Sequence, residues 1–139
     1  MKRKIISLFT LICIALFTTC IFVGCKKGKE AVKLDGDYVL IEAEESADGK
    51  TLLAYMQELQ ANGKLNFALE NGMVTSIDGK QNKADYSACW MLYTSDSENA
   101  NDAWGIVEYE EKEYGSAVVG AESLIVKAGE LYIWWYQSF

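Results

Sequence analysis

Cys25 is the residue best placed for covalent chemistry. It follows Lys2-Arg3-Lys4, an apolar run from Ile5 to Val23 and the small Gly24, and it precedes Lys26-Lys27. A basic start, a stretch able to enter the bilayer and a small residue before a cysteine are the marks of a bacterial lipoprotein signal peptide. Residues 1–24 are therefore expected to be the signal peptide, with Cys25 the lipidated first residue of the mature chain and residues 25–36 the lipidated cysteine and tether. Phe22 stands where such signals usually carry Leu, and it is equally apolar. The alternative is an uncleaved anchor, because Ile5 to Val23 approaches the length that spans a bilayer. Both readings put the rest of the chain outside the cytoplasmic membrane, at the cell surface or facing a periplasm.

Catalytic chemistry is poorly supplied. The chain has no histidine, which removes the commonest general base, the usual zinc ligand and every Ser-His arrangement. Cys13, Cys20 and Cys25 belong to the leader or its cleavage point, which leaves Cys89 without an intrachain disulfide partner. Beside Trp90 on a candidate strand, Cys89 reads as a packed apolar residue. The acid pairs Glu44 with Glu45 and Glu108 with Glu110 read as surface charge. The segment Asp96 to Asp102 has calcium-type oxygens but lacks the glycine and terminal glutamate of an EF-hand. The expectation is a protein that is not an enzyme and requires no metal or cofactor.

Charge narrows the partners. Beyond Cys25 ten basic residues face twenty acidic ones, a net charge of −10. Such a balance disfavours nucleic acid and electrostatic binding to anionic lipid. Membrane contact is then expected through acyl chains on Cys25 alone.

The elements that must position any site follow from periodicity. Thr51 can cap a helix in which Leu52, Leu53, Met56 and Leu59 form one stripe, ended by Asn62-Gly63. Leu65, Phe67 and Leu69 alternate before the turn Asn71-Gly72, and Met73 to Ile77 returns to a second turn at Asp78-Gly79. Further strands are expected at Tyr38 to Ile41, Ser87 to Thr94, Trp104 to Tyr109, Ser123 to Lys127 and Leu131 to Tyr136. Asp96 to Asp102 is expected to be a polar loop, and Glu110 to Glu113 to be solvated. One main helix packed on a mixed sheet predicts an α+β, β-grasp-like single domain over residues 37–139, preceded by the signal peptide.

Aromatic residues concentrate at the end of the chain. On a strand, Leu131, Ile133 and Trp135 face one way while Tyr132, Trp134 and Tyr136 face the other. If the helix covers only one face, Tyr132, Trp134 and Tyr136 form an exposed platform for a glycan or a protein, as in an adhesion module. Cover by loops or a second layer is the alternative.

Four segments resemble, in order, the transcobalamin C-terminal-like domains. They are Lys50-Thr51-Leu52-Leu53, Val74-Thr75-Ser76-Ile77-Asp78-Gly79, Cys89-Trp90-Met91-Leu92-Tyr93 and Val126-Lys127-Ala128-Gly129-Glu130-Leu131-Tyr132. The resemblance implies a β-grasp domain that binds a soluble ligand, cobalamin or a related corrinoid, without catalysis. Ligand contact then falls on Trp90, Met91 and Leu92. A membrane transporter or a larger surface protein is the partner that would cover the other side of the ligand.

Overall fold

Hydrophobic alternation and tight turns build nine strands and one α-helix among residues 30–139, the residues that the computed structural model describes. The signal peptide read at 1–24, the lipidation at Cys25 and the first part of the tether lie outside them. None of the described helices is long and apolar enough to cross a membrane. The latter part of the expected tether is already structured. Strand β1 (Val32–Asp35) pairs with β2 (Tyr38–Glu42) around Gly36, and Ala31 and Val32 are buried.

The helix forms where its cap and stripe place it. Thr51 Oγ1 accepts the Ala54 N–H at 3.2 Å, and α1 (Leu52–Ala61) buries Leu52, Tyr55, Met56 and Leu59. Gly63 stops it at φ +70°, with the Lys64 N–H closing back onto the Leu59 carbonyl at 2.8 Å.

The remaining elements are β3 (Phe67–Glu70), β4 (Met73–Ile77), β5 (Lys80–Gln81), β6 (Ala88–Thr94), β7 (Ala100–Tyr109), β8 (Lys112–Ala117) and β9 (Leu131–Ser138). They form a six-stranded sheet in the order β1-β2-β9-β6-β8-β7 and a three-stranded sheet in the order β3-β4-β5. The expected α+β β-grasp with a mixed sheet is overturned: the described residues are mostly β, 48% strand against 12% helix, and both sheets are antiparallel. The turns account for the pairs β3-β4, β4-β5 and β7-β8, while the pairs of β9 with β2 and β6 and of β6 with β8 form at long range. Asn71-Gly72, Asp78-Gly79 and Glu110-Glu111 all adopt left-handed conformations, with φ between 48° and 81°. Such pairs close two-residue hairpins, and hairpins make neighbours antiparallel; parallel neighbours would need crossovers of a dozen or more residues.

Other expectations shift with this. Glu110-Glu111 is a hairpin turn and Lys112-Glu113 opens β8, while β7 begins inside the expected polar loop, at Ala100. Ser123 to Lys127 is not a strand; only Ile125 bridges, to Thr51.

The large sheet curls until its end strands touch. Lys33 on β1 donates to the Tyr109 hydroxyl at 2.5 Å and to Glu110 at 3.2 Å; the Tyr109 hydroxyl in turn donates to Asp35 at 3.0 Å. Tyr38 and Tyr109 also pack at 5.6 Å between ring centroids. Inside the curl lie Leu40, Tyr93, Val107, Tyr114 and Ile133. The outer face carries Trp90, Leu92, Tyr132 and Trp134, and packs against α1 and the small sheet through Met56, Phe67, Val74 and Ile77.

Candidate functional site

An open groove of about 390 Å³ lies over the outer face. Its floor is Trp90, Leu92 and Trp134. Strands β6 and β9 are adjacent and antiparallel, with Leu92 opposite Trp134, so alternation brings these three side chains to one face. One wall is the β3–β4 turn with Gly72, Met73 and Val74; the other is the segment after β8, from Ala117 to Glu122.

Trp104 completes the rim, and a bulge puts it there. Asn101 pairs with Ser116 while Ile106 pairs with Gly115, so residues 102–105 loop out of the ladder. The Ser116 hydroxyl ties the loop, accepting the Trp104 N–H at 3.3 Å and donating toward Asn101. Trp104 is left 65% exposed. A Cβ on Gly115 would fall 2.7 Å from the Asn101 carbonyl oxygen, so only glycine lets β7 approach this closely. Gly115→Ala is expected to cost about 1–3 kcal/mol through overpacking. Urea unfolding measures the cost, and an altered Trp104 emission would report the displaced bulge.

The expected contact residues divide. Trp90 and Leu92 are in the floor. Met91 borders the groove, but its side chain packs with the core inside the curl. Trp90 is fixed firmly: its Nε1 donates to the Lys80 carbonyl at 2.7 Å, and its ring meets Tyr136 edge-on at 5.3 Å.

The exposed platform does not form. Tyr132 is fully buried, with its hydroxyl accepting the Lys127 N–H at 2.9 Å, and Trp134 is 5% exposed. Tyr136 is half-buried and donates to the Gln81 carbonyl at 2.8 Å. The helix and the small sheet cover this face, because Tyr132 and Trp134 share it with Trp90 and Leu92.

Trp134 differs from its neighbours in one respect. Its Nε1 is buried and has no hydrogen-bond partner among the described residues. Sequence reasoning missed the rim residues Met73, Trp104, Val118, Val119 and Glu122. The exposed apolar pair Val118-Val119 beside Gly120 was the available signal.

Cys89 sits on the face away from the groove floor, 3.8 Å from the Met91 sulfur, and burial pushes its thiol up. Among the described residues no group of three or more Cys, Asp or Glu could hold a metal. In the calcium-like segment, Asp96 is 3% exposed and accepts from Asn99 Nδ2 at 2.6 Å, Lys127 Nζ at 3.0 Å and the Glu98 N–H at 3.1 Å. Burial alone would raise its carboxyl, yet these three hydrogen bonds outweigh burial and hold it below the usual carboxylate range.

No family model, curated protein or solved structure matches the chain. The likeness to transcobalamin C-terminal-like domains rests on the four segments alone.

Proposed function

We propose that this chain is a lipid-anchored, non-catalytic surface protein that captures a small soluble ligand in the groove floored by Trp90, Leu92 and Trp134. One observation carries the reading. The groove lies over the strand to which the resemblance assigns ligand contact, and its rim exposes the large apolar side chains Met73, Trp104, Val118 and Val119. Contiguous exposed apolar groups around a concavity are the usual mark of a binding site.

Cobalamin or a related corrinoid is the ligand class to test first. A volume of about 390 Å³ is small for a binding site. A corrin ring would lie across the mouth with its edge in the groove, and a transporter or larger surface protein would cover the outward side. Anchoring near such a partner raises local concentration, which compensates for weak one-sided binding. An adhesion module is the weaker reading, since Tyr132 and Trp134 are buried and supply no platform.

Equilibrium dialysis of cyanocobalamin and cobinamide against the full-length chain in lipid nanodiscs tests the corrinoid version. Saturable binding that falls in Trp104→Ala is expected. Trp104 is mostly exposed, so this variant keeps the fold. Absence of binding at high micromolar ligand rules out the corrinoid.

A further inference from the structure

Cys89, Met91 and Tyr93 alternate with Trp90 and Leu92 along β6, so the three share the face inside the curl. Exposure rises toward the start of the strand: Tyr93 is fully buried, whereas Met91 and Cys89 are half-buried. There the Cys89 and Met91 sulfurs stand 3.8 Å apart. Across on β9, Gln137 is registered opposite Cys89 and Trp135 opposite Met91. Gln137 is engaged elsewhere, its Oε1 accepting from the Tyr93 hydroxyl at 2.9 Å. The surround is uncharged, since burial pushes the Cys89 thiol up with no contribution from a charged group.

Two sulfurs at this spacing are a chelating pair. With metal–sulfur bonds of about 2.3 Å, sulfurs 3.8 Å apart subtend about 110° at a shared ion, close to tetrahedral or trigonal coordination without movement of either residue. Thiolate and thioether donors select soft ions, Cu(I) and Zn(II) among them. Charge then decides between the two. A thiolate with a monovalent cation is neutral and can stay half-buried without a counter-ion. Zn(II) would leave a net positive charge, and among the described residues no acidic cluster is placed to neutralise it.

We infer that Cys89 and Met91 form a Cu(I) site on the inner face of β6, separate from the groove and independent of its ligand. Bonds form from Cu(I) to Cys89 Sγ and Met91 Sδ, the thiol proton passes to water, and no electron is transferred. With two protein ligands the ion keeps open positions and stays exchangeable.

Methionine supplies a local probe, because the chain has only Met1, Met56, Met73 and Met91. The full-length chain in nanodiscs, reduced and ¹³C-labelled at its methionine methyl groups, is titrated with Ag(I), a redox-inert stand-in for Cu(I). The Met91 resonance is expected to move at equimolar Ag(I) and that of Met73, an exposed thioether on the groove rim, to stay. Zn(II) should leave both in place. Cys89→Ser should abolish the Met91 shift and, by anaerobic competition with a Cu(I) chelator, remove one bound ion. Cys13, Cys20 and Cys25 are common to both proteins and cancel. Met91→Leu, which nearly conserves volume and so keeps the fold, should weaken Cu(I) by at least about tenfold, the cost of disturbing even the groups around a metal's ligands. Met91 and Met73 moving together, a Met91 shift that survives Cys89→Ser, or unchanged Cu(I) stoichiometry in that variant would each overturn the site and leave the two sulfurs a packing contact.

Discussion

Trp90→Ala is expected to destabilise the domain by about 3–5 kcal/mol, the usual cost of emptying a buried aromatic site. Trp90 fills the outer core, packs edge-on against Tyr136 and donates to the Lys80 carbonyl. Lys80 belongs to β5, so this bond, together with that from the Tyr136 hydroxyl to Gln81, ties the small sheet to the large one. Its loss should also release the β3–β4 wall of the groove. Trp90→Phe keeps most of the packing and removes only the N–H, which predicts a smaller cost of about 1–2 kcal/mol. Urea unfolding of the full-length chain in detergent separates the two variants, and hydrogen exchange should show β3 to β5 loosening before β6 and β9. Equal costs for Ala and Phe would mean that the indole hydrogen bond, not the packing, dominates. Domains of this size have only about 5–15 kcal/mol in hand, so the Ala variant should lie close to its threshold.

Asp96→Ala is the second large effect, expected at about 2–4 kcal/mol, because it removes three hydrogen bonds to a buried carboxylate. The pH dependence follows from the direction of its shift. The Asp96 carboxyl is held below the unfolded value of about 3.9, so its stabilisation is fully present above that pH and is lost as pH falls through the lower, folded value. Asp96→Asn removes this titration. The difference in urea midpoint between wild type and Asp96→Asn should therefore be constant above pH 5 and shrink toward pH 2. Asp85, whose carboxyl is also lowered by bonds from Ser87, remains in both proteins and cancels from the comparison. A difference that stays unchanged down to pH 2 would show that Asp96 acts through shape and not charge.

The helix was legible because cap, stripe and stop agree locally: Thr51, then Leu52, Met56 and Leu59, then Asn62-Gly63. Strands β6 and β9 were legible down to their faces, since large apolar side chains alternate along both. Strand β1 was not, because Lys33 and Asp35 on an edge strand look like a solvated tether, although Ala31 and Val32 are buried. Strand β8 was hidden by Gly115 and Ser116, which face close backbone where no large side chain fits. The curl and the antiparallel order depend on which strands pair at long range, and no local pattern encodes that. At the site, the strand carrying Trp90 and Leu92 could be read from sequence. The bulge that raises Trp104 and the unpartnered Trp134 nitrogen could not, because both arise from register and packing between distant segments.

The clasp between β1 and β7 has a mechanical meaning. Any tension that reaches the domain through the residues before Glu30 is delivered first to β1, an edge strand with four registered pairs to β2 and side-chain ties to Tyr109 and Glu110. A pull along the strand loads those pairs together in shear, whereas a pull across it unzips them singly. The clasp resists the second mode, since Lys33 must leave Tyr109 and Glu110 before β1 can peel away. Edge strand and clasp together act as a strain relief, so tension entering at Glu30 is absorbed before it reaches β6, β9 and the groove they floor.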